Sequence, residues 1–197
     1  MTTPPITHLL YLHGFRSSPQ SAKARRMAEQ MSKHFPQVCW WCPQLPPSPR
    51  EAAALMDRGT RDWPTDRMAV IGSSLGGFYA TWLALQRNCR AVLINPAVFP
   101  ARDLAKHIGE QPAWHAPEER FYFAPAYIHE LQTLQDDAQG EPHETLAFIA
   151  KGDEVLDWRE MTARYPKARQ VVLEGGDHAL SDFDAHVPAI LDFLGLP

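Results

Sequence analysis

Cysteine is scarce in this chain: three residues in 197, an odd number in a protein too large to need covalent staples. That excludes a disulfide scaffold and points to a reducing, cytoplasmic setting. Long apolar runs are missing too. No stretch approaches the roughly 20 residues needed to cross a bilayer. The start, Met1-Thr2-Thr3-Pro4-Pro5-Ile6, has no basic segment ahead of an apolar one. Neither a membrane span nor a signal peptide is therefore expected. An excess of positive charge is also absent. Net charge is −4 with His neutral, and Lys and Arg form no block. This argues against a nucleic-acid binder, which needs a basic stripe to neutralise phosphates. No G-x-G-x-x-G or G-x-x-x-x-G-K-S/T follows a strand, so nucleotide binding has no support. No H-E-x-x-H and no second cysteine pair is present, so neither a metal nor another cofactor is expected. Cys39-Trp40-Trp41-Cys42 has C-x-x-C spacing. It lies on an apolar run that ends at Pro43 rather than opening a helix, so it reads as packing and not as a redox pair.

What is there is ordinary globular material: 45% hydrophobic and 21% charged residues, which excludes disorder, collagen and coiled coil. The length, with no separating linker, predicts one domain over residues 1–197. Proline is plentiful and punctuates the chain rather than forming a low-complexity tract.

Short apolar runs alternate with longer helical patterns. Thr7–Leu12, Gln37–Cys42, Arg67–Gly72, Arg90–Asn95, Thr145–Ala150 and Arg169–Glu174 read as buried strands, rich in Val, Ile, Leu and aromatics. Between them Ser18–Phe35, Arg50–Arg58, Ser74–Arg87, Trp158–Tyr165 and a segment within Ser181–Leu194 read as helices. This pattern predicts an α/β fold: a six-stranded, mainly parallel sheet in the order 2-1-3-4-5-6, with helices on both faces. Right-handed crossovers place all strand C-termini at one edge, where ligands bind in such folds. One stretch breaks the alternation. Asn95 to Thr145 shows no clear strand, and Pro125–Gln135 looks helical through Tyr127, Ile128, Leu131 and Leu134. The rest carries Trp114, His115, Phe121, Tyr122 and Phe123. An insertion of this length at the ligand edge is expected to form a helical lid or pocket wall, from about 99 to 144.

The residues just after each strand carry the chemistry. The third strand runs into Gly72-Ser73-Ser74-Leu75-Gly76-Gly77 and then an amphipathic helix. This is G-x-S-x-G in a strand–turn–helix context, where the glycines let a strained turn lift the Ser74 hydroxyl to the sheet edge. Ser73 reads as packing. A serine is a poor nucleophile without a base oriented by a third group. In this architecture the chain order is Ser, acid, His. Of nine histidines only His178 lies directly after the last strand, in Gly175-Gly176-Asp177-His178. The acid is expected after the preceding strand, where Asp153, Glu154 and Asp157 compete. Asp153, directly after Gly152 and two before Val155, is placed to turn inward. Glu154 would point the other way, and Asp157 suits the cap of the helix at Trp158. Two N–H donors are needed for an oxyanion. One is the amide of Leu75, and the other belongs to the loop after the first strand, His13-Gly14-Phe15, at Phe15. His13 reads as a loop anchor and Arg16 as a solvated charge, with recognition of an acidic substrate group as the alternative.

Five blocks of sequence taken together carry a resemblance: YLHGFRSSPQSAKA (Tyr11 to Ala24), IGSSLGGFYAT (Ile71 to Thr81), INPAV (Ile94 to Val98), KGDEVLD (Lys151 to Asp157) and GGDHAL (Gly175 to Leu180). They resemble the YqiA-like esterase family of small bacterial α/β-hydrolases, from about residue 7 onward. The stretch Asp103–Arg120 contributes no block to this resemblance, so the resemblance does not give the shape of the lid. The likeness implies a compact α/β-hydrolase without leading antiparallel strands, acting on acyl esters or thioesters, with Ser74 as nucleophile, Asp153 as acid and His178 as base. The expected function is hydrolysis of small to medium apolar acyl esters or thioesters. The alternatives are another bond type on the same three residues (amide, peptide or carbon–carbon) and a non-catalytic binding protein on the same fold.

Overall fold

The structure is a computed structural model that describes residues 4–113 and 118–196. Trp114 and His115, counted above with the insertion, lie outside the described residues. The main sheet has six strands: β1 (His8–Leu12), β2 (Cys39–Trp41), β3 (Met68–Ser73), β4 (Arg90–Ile94), β7 (Thr145–Ala150) and β8 (Arg169–Leu173). Their order is β2-β1-β3-β4-β7-β8, and every pairing is parallel. This is the predicted order. Parallel register sends all six chain ends to one rim, as successive crossovers of one hand require.

Alternation along the strands explains why the sheet is covered twice. Leu10, Leu12, Val70, Leu93 and Ile149 belong to one buried cluster; Leu9, Tyr11, Ile71, Val92 and Phe148 belong to the other. Helices α2 (Pro49–Thr60), α3 (Leu75–Arg87) and α5 (Pro125–Asp137) bury Met56, Leu83 and Leu131 in the first cluster. Helices α1 (Ala22–His34) and α7 (Val187–Phe193) bury Met27, Met31 and Ile190 in the second. Local chemistry sets the helix ends. The Ser48 hydroxyl accepts from the Glu51 amide, with Pro49 at the first helical position of α2. Asn88, at a left-handed φ of 51°, closes α3.

Three expectations need correction. The run Gln37–Cys42 yields only the three-residue β2, half-exposed, and β8 is likewise not fully buried, because both are edge strands with a single neighbour. The helix expected from Ser18 begins at Ala22, since Ser18–Ser21 close a turn in which Ser18 accepts from the Ser21 amide. The insertion is not wholly helical. After the short α4 (Pro100–Leu104) it forms an antiparallel hairpin, β5 (Gly109–Pro112) with β6 (Arg120–Phe123), before α5. Gly-Glu-Gln-Pro has no apolar alternation, so nothing marks it as a strand. It forms through backbone pairing with β6, whose Phe121 and Phe123 pack on Phe15. No described helix is long and apolar enough to cross a membrane.

The junction of β3 and α3 leaves no room for a side chain at position 76. A Cβ on Gly76 would lie 2.0 Å from the Leu12 carbonyl oxygen, whereas one on Gly175 would meet nothing within 4 Å. Gly76→Ala is therefore expected to cost about 3 kcal/mol or more, and Gly175→Ala less than about 0.5 kcal/mol. Denaturant midpoints of the two variants measure the difference; equal midpoints would contradict this packing.

Candidate active site

Ser74 stands at the turn between β3 and α3 with φ 57° and ψ −122°, a conformation that side-chain-bearing residues rarely adopt. Its backbone is fixed on both sides. The Ser74 amide donates to the Ile94 carbonyl at 3.0 Å, and the Ser74 carbonyl accepts from Gly77 at 2.8 Å and Ala97 at 3.0 Å. The turn is possible because a Cβ on Gly72 would fall 2.1 Å from the Gly76 carbonyl oxygen. The hydroxyl of Ser74 thus faces a cleft of about 790 Å³ that His178, Gly14 and Phe15 also line.

His178 reaches Ser74 from the loop after β8, with Nε2 2.9 Å from Ser74 Oγ. Its Nδ1 lies 2.8 Å from Asp153 Oδ2. Because a carboxylate can only accept, this contact puts the proton on Nδ1 and leaves Nε2 to accept from the serine. The Asp153 side chain is fully shielded from solvent, and that of His178 is 12% exposed. The other carboxylate oxygen of Asp153 accepts from the amides of Val155 and Leu156, both at 2.8 Å. Gly152 lets the two loops meet: a Cβ there would sit 2.3 Å from the Gly176 carbonyl oxygen.

Of the three candidate acids, the structure brings only Asp153 to the imidazole of His178. Asp157 caps α6 (Trp158–Arg164), accepting from the Arg159 amide. Glu154 does not point away as expected; its carboxylate accepts from the His178 amide at 3.0 Å. That contact leaves no trace in residue spacing, since it depends on how the last loop folds back.

The first-strand loop lies against the serine. A Cβ on Gly14 would be 3.2 Å from Ser74 Cβ. Phe15 follows it, and Leu75 opens α3, so the Leu75 amide is one of the first-turn donors with no partner inside the helix. His13 anchors this loop: Nε2 accepts from the Leu45 amide at 3.1 Å while Nδ1 faces the Gly14 carbonyl at 3.0 Å. Arg16 is half-buried and also has a structural contact. Its Nε donates to the Pro112 carbonyl at 2.9 Å and ties the loop to the hairpin. Phe15 and Leu75 also line a second cavity of about 350 Å³, walled by Leu45, Pro46, Pro47, Tyr79 and Phe121.

Asn95 went unnoticed in the sequence because an asparagine after a strand carries no motif. It is fully buried and bonds to the chain on either side of His178. On α1, Lys23 Nζ donates to the Ala179 carbonyl; burial lowers the Lys23 pKa, and the charge of Asp177 partly offsets this.

Cys42 and Cys89 fit a packing role, whereas the exposed Cys39 does not. Burial pushes Cys42 and Cys89 up to about 12, the wrong direction for a reactive pair, while Cys39 is exposed. Among the described residues no group of three or more His, Cys, Asp or Glu side chains is placed to hold a metal.

Known proteins share this frame. The model of the family described as Uncharacterised protein family (UPF0227) matches residues 8–195. Among solved structures, a metagenome-derived lipolytic enzyme of the LipS and LipT study superimposes with TM-score 0.72 at 20% identity, covering 98% of this chain and 96% of the other. Mouse alpha/beta hydrolase domain-containing protein 10 gives 0.69 at 16% identity, with 97% and 92% covered. Est1E from Butyrivibrio proteoclasticus with bound ferulic acid gives 0.68 at 14% identity, with 98% and 88% covered. At these identities the likeness establishes the α/β-hydrolase fold.

The thiol arrangement predicts that iodoacetamide at neutral pH alkylates Cys39 and spares Cys42 and Cys89 in the folded protein. Peptide mass mapping reads the outcome; early labelling of Cys42 would contradict its burial.

Proposed function

The chain belongs to UPF0227, the YqiA family that its motifs resemble, and we propose that it is a serine hydrolase of carboxylic esters or thioesters. The observation that carries this reading is the unbroken chain of contacts from Ser74 Oγ to His178 Nε2 at 2.9 Å and from His178 Nδ1 to Asp153 Oδ2 at 2.8 Å.

In this reading His178 Nε2 takes the hydroxyl proton as Ser74 Oγ bonds to the acyl carbon. The carbonyl oxygen becomes an oxyanion and is held by the amides of Phe15 and Leu75, each such donor being worth ~10²–10³ in rate. His178 then returns the proton to the leaving oxygen or sulfur, and the acyl group stays on Ser74. Water, deprotonated by the same imidazole, attacks the acyl-enzyme, and His178 returns that proton to Ser74 Oγ as the acid leaves. Asp153 keeps the Nδ1 proton in place and stabilises the imidazolium without taking the proton itself.

The second cavity supports the substrate class. Phe15 and Leu75, the two proposed oxyanion donors, help to line it; it is walled largely by apolar groups and measures about 350 Å³. That is at the small end of ligand pockets, so it suits a small to medium apolar acyl group. The three free thiols agree with a reducing, cytoplasmic compartment.

A panel of acyl esters and thioesters of graded chain length tests the proposal. Hydrolysis is expected to peak at short to medium acyl groups and to fall for long ones. Ser74→Ala is expected to lower kcat by on the order of 10⁴ or more, and Asp153→Asn by about 10³–10⁴, because the amide no longer holds the Nδ1 proton. Full activity in Ser74→Ala would remove the mechanism. A preference for peptides or diketones over every ester would replace the substrate class while leaving the three residues in place.

A further inference from the structure

One short segment touches the turn of Ser74, the strand that leads to Asp153 and the loop of His178. Strand β4 lies between β3, which leads to Ser74, and β7, which leads to Asp153. At its end the Ile94 carbonyl accepts from the Ser74 amide at 3.0 Å, and the Ala97 amide donates to the Ser74 carbonyl at 3.0 Å. Between them the Asn95 amide donates to the Phe148 carbonyl of β7 at 2.9 Å. The Asn95 side chain, 0% exposed, uses its whole carboxamide. Oδ1 accepts from the Ala150 amide at 2.8 Å, at the end of the acid-bearing strand. Nδ2 donates to the carbonyls of Asp177 at 3.0 Å and His178 at 3.2 Å, on the base-bearing loop.

Building on the hydrolase reading above, we propose that Asn95 is a positioning residue whose carboxamide sets His178 against Asp153 and Ser74. The base loop needs such a tie. It contains Gly175 and Gly176, the latter at φ 83°, and follows an edge strand with one neighbour. The imidazole reaches Ser74 only if this loop folds back over the rim. Asn95 holds it from inside the sheet, while Glu154 and Lys23 bind the His178 amide and the Ala179 carbonyl from outside.

Asparagine meets the requirement where other residues fail. The junction demands one acceptor toward Ala150 and two donors toward adjacent carbonyls. Aspartate of the same size presents oxygens to those carbonyls, and glutamine is one carbon too long. The backbone at Asn95 has φ 41°, a left-handed value that asparagine tolerates better than most residues.

Asn95→Asp reverses the contact to the base loop. It keeps the size, the tolerance for this backbone and the acceptor for Ala150, and it replaces the two donors with a carboxyl oxygen facing two carbonyls. The expected result is a folded protein, by circular dichroism and a cooperative melt, whose kcat on a short acyl ester falls 10- to 100-fold with KM within about three-fold, since a misplacement near 1 Å costs about that much. The rate at which a fluorophosphonate modifies Ser74 is expected to fall by a similar factor. Asn95→Gly keeps the backbone conformation and removes the carboxamide, and it is expected to behave likewise. Rates are referred to the folded fraction, so loss of stability alone moves neither number. A folded variant of either kind with kcat within two-fold of the parent overturns the assignment. If neither variant folds, Asn95 is a structural residue and the assignment also falls. Parent protein that neither cleaves esters nor reacts with the fluorophosphonate would instead overturn the hydrolase reading.

Discussion

The backbone of Ser74 is the constraint on which the site depends. A residue held at φ 57° and ψ −122° carries strain of about 1–3 kcal/mol and persists only where its surroundings leave no alternative. Here the surroundings are close-packed backbone. Gly72 lies against Gly76, Gly76 against Leu12, and Gly77 against Pro96, each nearer than any Cβ would allow. The turn therefore fixes three things at once: the serine hydroxyl at the rim, the Leu75 amide beside it, and the first-strand loop close behind both.

The parallel sheet does the rest of the gathering. Four strand ends deliver four different parts to one edge: the Gly14–Phe15 loop from β1, Ser74 from β3, Asp153 from β7 and His178 from β8. No pair among them is close in sequence except Gly14 and Phe15. The strand between the serine and the acid, β4, contributes Asn95 and so links the two sides. The insertion is joined to this frame at several points. Glu130 of α5 accepts from the Ser48 hydroxyl at 2.7 Å and from the Arg50 amide at 3.0 Å, where α2 begins. Arg102 of α4 grips Glu160 of α6 with two contacts of 2.7 Å. The hairpin leans on the Gly14–Phe15 loop through Phe15, whose ring centroid is 5.1 Å from that of Phe123, and through Arg16. A wall of the small apolar cavity and the loop beside the serine are thus one packed unit.

Much of this was legible in the order of residues, for physical reasons that differ by element. The central strands announced themselves because burial on both faces demands unbroken apolar runs, as in Thr145–Ala150. The Ser74 turn was legible because close backbone packing admits only glycine at 72 and 76. Asp153 was separable from Asp157 because a cap and an inward-turned carboxylate sit at different offsets from the helix they precede. What was hidden depends on contacts between distant segments. The β5 strand is Gly-Glu-Gln-Pro, held by its partner strand and not by its own preference. Glu154 and Asn95 are ordinary polar residues until the base loop folds back and offers an amide to one and two carbonyls to the other.

A crystal structure of the protein after reaction with a small phosphonate ester tests the account most directly, because it shows nucleophile, oxyanion donors and base in one image. The account predicts phosphorus bonded to Ser74 Oγ, the phosphoryl oxygen about 3 Å from the amides of Phe15 and Leu75, and His178 still between Ser74 and Asp153. Phosphorus on any other residue, or a phosphoryl oxygen turned away from both amides, would contradict it.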